Sequence, residues 1–504
     1  MSMTQDSVLL KNEMLQQAVS ELDALVHEAA EQGRPIHEAE RKIWNWVLAL
    51  GRLGLQQFLD LQGSGDLGET IELPDGRSCQ RLPELHSRRY VSIFGEFVLL
   101  RTVYGSREGQ KIDFIPLDNR LQLPASPFSY VLQDWDQALC VEQAFSQASQ
   151  TIARILGLKQ SVDSLEHMNA AMAERVASFR ENRPQPAPAA EGALVVGSAD
   201  GKGIVLRRDS AAPPPAAHRT KGEKASRKQM AIVGTVYTVD RYVRSPEEVV
   251  AALFRERQES PPPGRPLPEN KHVWASLARV DADGVVHSGL EVVYPWMLNE
   301  VVERNPGMAK ETVYLHDGQE ALWEARAKYL PQRNSTDILD LLHVTPRLWQ
   351  AAHVFHRERS NEAEAFVRER LLRVLRGEVG LVIRGLREMA TKRALTGAKK
   401  KTLTTICGYL AKNQQRMRYG EYLAKGYPIA SGVIEGACRH LVKDRMERAG
   451  MHWTPPGAQA MLDVRSTYVN GDWETYQTYR IERESQKLYP YRELVQGQIY
   501  QMAA

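Results

Sequence analysis

Apolar residues recur at helical spacing through residues 7–33 (SVLLKNEMLQQAVSELDALVHEAAEQG), which end on Gly33, and again through residues 37–62. Each stretch predicts an amphipathic helix, and together they predict a helical hairpin. The period then shortens. RRYVSIFGEFVLLRTVYGS, residues 88–106, places two β-rich runs around Phe94-Gly95-Glu96 and predicts strand–turn–strand. Residues 127–178 return to helical spacing, where AFSQASQTIARILGLKQSVDSLEHMNAAM gives a helix, a turn at Gly157 and a second helix. That outline fits a helix-turn-helix and equally a plain helical hairpin. The second helix carries few basic residues.

The Pro/Ala-rich stretch PQPAPAAEG (Pro184–Gly192) predicts a linker and a domain boundary. Beyond it the texture changes. ALVVGSADGKGIVLRR and MAIVGTVYTVDRYV are strand-like, separated by a Pro-rich and then basic loop. SPEEVVAALFRER reads as a helix with Ser245 as N-cap and Glu247 and Glu248 in its first turn. Strand ASLARVDADG, helix WMLNEVVERNPG, strand TVYLHDG, helix QEALWEARAKYL and strand TDILDLLHV follow. An antiparallel start followed by alternating strands and helices predicts a mixed α/β domain. From Pro346 to about Lys425 the strand signals fade and the pattern is helical throughout, an insertion ahead of the last helix of the domain.

The predicted organisation is a helical region over 1–84, a β-hairpin with a helix-turn-helix-like DNA-binding region over 85–183, and a linker over 184–192. The α/β core follows over 193–345, with a helical insertion over 346–425. The remainder of the core and the C-terminal tail fill 426–504. Composition changes this picture little. Of 504 residues, 43% are hydrophobic and 25% charged, as in a folded soluble protein. Net charge is only +3, so any nucleic-acid surface must come from local clustering. Cys79, Cys140, Cys407 and Cys438 are scattered without a CxxC pair, which argues against a disulfide framework or a cysteine zinc site. No signal-peptide core or membrane-length apolar run is seen, so a cytoplasmic location is expected, with no membrane partner.

Candidate chemistry rests on carboxylates. Asp200 follows the apolar run Leu194–Ala199, and Asp317 follows Val313-Tyr314-Leu315-His316. Both precede glycine. Strand alternation puts Asp200 on the face of Val196 and Ser198, and Asp317 on the face of Val313 and Leu315, with His316 pointing the other way. Asp-Gly is also a common turn dipeptide, so each acid taken singly fits a turn as well as a ligand. The third acid, Glu435, lies in SGVIEGACRHLVKDRME (Ser431–Glu447), which predicts one helix carrying a carboxylate ahead of Arg439, His440, Lys443, Arg445 and Arg448. Gathered carboxylates repel one another, and burying them is costly without a compensating cation. Hard oxygen ligands suit Mg²⁺ or Mn²⁺, and two such ions about 4 Å apart serve phosphodiester chemistry.

SADGKG, YLHDGQEALW, DILDLLHV and YPIASGVIEGACRHLVKDRMERAGMHW, in this order, resemble the ordered blocks of bacterial insertion-sequence transposases of the ISKra type, over roughly residues 85–475. That family belongs to the DDE superfamily. The resemblance implies an α/β, RNase H-like mixed five-stranded sheet with a helical insertion, preceded by a mainly helical N-terminal region containing a β-hairpin. It implies that Asp200, Asp317 and Glu435 are the catalytic acids holding two Mg²⁺ (or Mn²⁺) ions. The family's Asp-x-x-His matches Asp340 and His343, as supporting residues or as a hydrogen-bonded structural pair. Relatives commonly carry a cysteine cluster after the N-terminal strands. TVYGSREGQKIDFIPLDNRLQL has none, so no zinc is expected.

The implied partner is double-stranded DNA, both transposon ends and target, bound by a homodimer or higher oligomer. Arg439 and Lys443, at i+4 and i+8 from Glu435, are expected to continue its face toward the phosphates, joined by His440, Arg445 and Lys202. A basic loop cluster (Arg219, Lys221, Lys224, Arg227, Lys228) and an insertion cluster (Lys392, Arg393, Lys399, Lys400, Lys401) are further DNA candidates, though such runs are commonly solvated surface. Trp453 is either a stacking platform for an unpaired base or a packed anchor. Two rival readings share these residues: an RNase H-like nuclease without strand transfer, and a DNA-binding derivative without catalysis.

Overall fold

The computed structural model describes residues 2–105, 112–207, 228–256, 264–448 and 450–496. They form two compact units, 1–175 with 473–504, and 176–472.

In the first unit, helices Ser2–Glu31 and Ile36–Leu61 form the expected hairpin. Strands His86–Ser92 and Gly95–Arg101 pair antiparallel, closing at Gly95, whose φ of +120° suits glycine. Helix Phe145–Leu156 ends on Gly157 in the left-handed region, and Val162–Ala173 starts on the Ser161 cap. The C-terminal tail, expected with the core domain, belongs here instead. Helix Trp473–Leu488 buries Trp473, Tyr476 and Arg480, with Trp473 Nε1 donating to Asp134 at 2.7 Å and Arg480 to Gln133 at 2.9 Å. Val495 completes an apolar cluster with Leu73, Cys79, Tyr104 and Phe114. These contacts lie far apart in sequence, and no local pattern announces them.

The second unit is built on a mixed five-stranded sheet: β1 (Leu194–Val205), β2 (Lys228–Val239), β3 (Glu269–Ser276), β4 (Glu311–His316) and β5 (Ser335–Leu339). Their order is β5-β4-β1-β2-β3. The first three strands pair antiparallel as a meander, and β4 and β5 add parallel beside β1. Alternation divides the core between two faces. Val195, Ala199 and Tyr314 pack against helices Gly289–Arg304 and Glu320–Tyr329. Gly234 permits this approach, since a Cβ there would lie 2.6 Å from Val293. Leu194, Val196, Val313 and Leu315 face the other way, into a cluster with Leu348, Phe366, Leu386 and Leu410. Those residues come from the expected helical insertion, which comprises Leu341–Phe355, Asn361–Leu375, Val379–Lys392, Gly397–Asn413 and Tyr419–Ala424.

The proline-rich stretch is no free linker at its end. Glu191 is buried and takes both Nε and Nη2 of buried Arg304, at 2.6 and 2.8 Å, with Thr238 and Asn270 as further donors. This anchors the chain entering β1 to the helix packed behind the sheet.

Candidate active site

Asp200 does not end its strand. β1 runs on to Val205, paired throughout with β2, so Asp-Gly here is strand and not turn. The two glycines of Asp-Gly-Lys-Gly leave room for neighbours across the hairpin: a Cβ at Gly201 would meet Met230 at 2.9 Å, and one at Gly203 would meet Lys228 at 3.1 Å. The parallel pairing of β1 with β4 ends where Ser198 meets Leu315. Asp200 lies two residues further along β1 and Asp317 is the first residue beyond β4, so continuing the register would set the two acids level at the usual strand spacing of roughly 4.8 Å. The 117-residue offset between the two acids is thus the register of the sheet itself. Both side chains follow the alternation onto the insertion face, the face of Val196 and Leu315. His316 points to the opposite face, where Nδ1 accepts from the Ala199 N–H at 3.1 Å. Burial pushes its pKa down to about 3, so the ring is neutral.

Asp340 follows β5 and is fully buried. Its Oδ1 caps helix Leu341–Phe355 through Leu342 N–H at 2.9 Å and accepts from Ser431 N–H at 3.2 Å. Its Oδ2 receives the Ser431 hydroxyl and contacts His343 Nδ1 at 2.9 Å. One carboxylate therefore fixes the strand end, the orientation of His343 and the start of the Glu435 helix. Nothing in the spacing of the sequence marks Ser431 for this role. Ligand atoms of Asp340, His343 and Glu435 all lie within 4.8 Å of one another.

The electrostatics join this cluster to the two strand acids. Burial raises the Asp317 carboxyl above its usual range, and the charges of Asp200 and Asp340 add to the rise. Burial likewise raises Glu435, with Asp340 and Asp200 adding to it and His343 opposing. His343 is raised by its hydrogen bond to Asp340 and by the charges of Asp340, Asp317 and Asp200. Four carboxylates and one imidazole thus share one electrostatic neighbourhood, whose excess negative charge favours a cation. The donor set is oxygen-rich with one imidazole, which fits Mg²⁺ or Mn²⁺. Asp340 spends its oxygens on protein donors. Of the expected triad, the structure brings only Glu435 into that 4.8 Å group; among the described residues Asp200 and Asp317 fall outside it and bear on it through their charges.

The walls of the site come from elsewhere. Cys438 is buried and donates its S–H toward Asp200 Oδ2 at 3.7 Å. Tyr409 of the insertion lies against Gly318, where a Cβ would meet the ring at 2.2 Å. Trp323 Nε1 donates to the Asp317 carbonyl at 2.7 Å, holding the loop after β4.

The helix predicted over 431–447 is not continuous. It is α-helical over Gly432–Ala437, π-helical over Cys438–Lys443 and α-helical again over Asp444–Met446. The wider turn breaks the i, i+4, i+8 phase assumed for Glu435, Arg439 and Lys443. Arg439, His440 and Lys443 are exposed, with Asp444 3.7 Å from Arg439 and 3.1 Å from His440. Arg445 and Trp453 need correction as DNA contacts. Arg445 is fully buried with its guanidinium 4.9 Å from the centre of the Trp453 ring. Trp453 is buried too, donating Nε1 to Met446 O at 3.2 Å and bridging to Leu206 at the end of β1. Their side chains are used up in packing.

Lys202 and Lys228 both meet Glu447, at 3.7 and 2.9 Å, and Lys228 is the first residue of β2 and no part of a loop. Arg219, Lys221, Lys224 and Arg227 lie outside the described residues. Lys392, Lys399, Lys400 and Lys401 are exposed, and Arg393 donates to Phe355 O at 3.1 Å.

Neither family models nor curated proteins give a match. Among solved structures, the Drosophila P element transposase strand transfer complex matches at 10% identity and a TM-score of 0.24, over 74% of this chain and 88% of that chain. A likeness at that score carries no argument about this chain. Among the described residues, no helix is long and apolar enough to cross a membrane.

Proposed function

We propose that this chain is a DNA transposase with an RNase H-like catalytic core, of the insertion-sequence kind its motifs resemble. It binds the terminal inverted repeats of its element, cleaves a phosphodiester and transfers the resulting 3′-hydroxyl to target DNA. The observation that supports this reading is the shared electrostatic neighbourhood of Asp200, Asp317, Asp340, His343 and Glu435 at the ends of β1, β4 and β5. Asp200, Asp317 and Glu435 would hold two Mg²⁺ or Mn²⁺ ions, which would supply an activated water or hydroxyl and stabilise the leaving oxygen. Asp340 keeps His343 and the Glu435 helix in position, and Cys438 packs against Asp200. Exposed Arg439, His440 and Lys443 meet phosphates and position the strand without reading its sequence. Joining two ends at once calls for a homodimer or larger assembly, acting in the cytoplasm on the nucleoid.

The test is a supercoiled-plasmid assay with precut ends in Mg²⁺ or Mn²⁺. Joined products are expected from the wild type. Asp317→Ala should lose both cleavage and joining while still binding end DNA in EDTA. Nicking without joined product would favour a nuclease, and a wild type that never cleaves would sink the catalytic reading.

A further inference from the structure

Beside the carboxylate cluster, β1 and β2 bring lysines to the segment that follows the π-helical turn. Glu447 lies where they converge. Its carboxylate is 2.9 Å from Lys228 Nζ and 3.7 Å from Lys202 Nζ, and the charge of Lys443 bears on it as well. The Glu447 side chain is only 16% exposed. Burial works against its charge, yet the hydrogen bond from Lys228 and the charges of the lysines hold it below the usual carboxylate range.

The position of Glu447 is fixed from behind. Trp453 N–H donates to Val205 O at 3.1 Å and Arg207 N–H to Trp453 O at 2.7 Å, stitching the segment after Glu447 to the end of β1. Arg445 stacks on Trp453 from within. Two residues expected to touch DNA thus form a buried brace on either side of Glu447. Gly203 contributes by absence, since a Cβ there would crowd the Lys228 side chain at 3.1 Å. Lys202 shares the face of Asp200 by strand alternation, and the charges of Asp200, Lys202 and Glu435 all bear on the Cys438 thiol between them.

We propose that Glu447 is a positioning residue that gathers Lys202 and Lys228 into a phosphate-binding site for the nucleic-acid strand running past Asp200. Free lysine side chains have many rotamers, and fixing them on a braced carboxylate removes that freedom before DNA arrives. The site takes a backbone phosphate flanking the scissile one. It therefore rests on the proposed function, but its signature in binding is separable from catalysis.

The test compares wild type, Glu447→Gln, Lys228→Gln and the double variant Lys228→Gln/Glu447→Gln. Binding of a short duplex is measured in EDTA across a salt series, and cleavage in Mg²⁺ at saturating DNA. Lys228→Gln should lower the slope of log affinity against log salt by about 1. Glu447→Gln should bind at least as tightly, because a negative charge is removed, yet cleave roughly tenfold more slowly at saturation, because the phosphate is misplaced. The double variant should cleave no more slowly than the worse single one. Glu447→Asp tests geometry, with partial recovery of rate expected. Glu447→Gln cleaving at the wild-type rate, or additive losses in the double variant, would overturn the proposal. Should wild type bind duplex without ever cutting it, the transposase reading fails while the lysine site is judged on salt alone, and an unchanged slope in Lys228→Gln overturns it. A protein that binds no DNA overturns both.

Discussion

Asp340 illustrates how much one side chain can organise. It accepts from Leu342, from Ser431 twice and contacts His343, with no exposed surface. His343 is the outward-facing product of that arrangement. Replacing His343 by Ala should reduce Mn²⁺-dependent cleavage by about 10- to 100-fold, the usual cost of losing a group that supports a metal site. Titrating Mn²⁺ should recover part of the loss if metal affinity is what fell. A different acid tells a different story. Asp136 sits fully buried in helix Tyr130–Cys140, and neither oxygen has a hydrogen-bond partner among the described residues. Burial pushes its carboxyl up to about 7, with Gln160 near enough to oppose the rise in part without making a well-formed hydrogen bond. A raised acid is protonated when folded, so stability falls as pH rises from the unfolded value of 3.8 through about 7. Asp136→Asn should be more stable than wild type at pH 8 and equal to it near pH 4, as read from thermal unfolding of the first unit.

At the scale of elements, the end of the proline-rich stretch is held by a buried ion pair. Burial works against the Glu191 charge, but Arg304, Thr238 and Asn270 bring its carboxyl down to about 2. A depressed acid contributes stability that is present above its unfolded value of 4.5 and lost as pH falls toward about 2. Glu191→Gln should therefore remove most of the acid sensitivity in that window while lowering stability at pH 7, since Arg304 is left buried without its counter-charge. Thermal midpoints taken between pH 2 and pH 7 would show it. Helix and strand periods gave most of the elements: Ser245 caps its helix as expected and also forms a box with Glu248, and Gly157 ends its helix in the left-handed region. Periodicity did not reveal the π-helical stretch at Cys438–Lys443. The residue pattern over Ser431–Glu447 satisfies an ordinary helix, and the wider turn coincides with Leu441 and Val442 packing inward while the ends on either side are tied to Asp340 and to β1.

At the scale of the whole molecule, the chain leaves its first unit and returns to it. Trp473, Tyr476 and Arg480 fill positions among helices contributed by residues before 175. Deleting residues 473–504 should destabilise the first unit alone. Limited proteolysis of the truncated chain is expected to degrade 1–175 while sparing 176–472, and a uniformly protease-resistant product would refute this. The candidate site has the same character at a larger separation, for its acids come from one strand, the residues just beyond two others and a helix beyond a long insertion.

The sequence by itself marked most of the helices and the strands leading to Asp200 and Asp317, because local periodicity, caps and turns act within a few residues; it placed the third core strand at 275–284 where the structure has Glu269–Ser276, and it missed the short strands Thr70–Glu72, Ser78–Arg81 and Ile112–Phe114. It also marked Asp200, Asp317 and Glu435, since acids bordering apolar runs are conspicuous. It left open whether Asp-Gly was turn or strand and whether Trp453 stacks on a base or packs inward, and it sent Arg445 toward phosphates when that side chain is buried. Those were decided by tertiary structure alone. The pairing of Ser198 with Leu315 converts a distance of more than a hundred residues into neighbouring positions on a sheet. The bridge from Leu206 to Trp453 turns an apparent surface aromatic inward. Such outcomes depend on which partners a side chain meets across the fold, and a one-dimensional pattern carries no record of them.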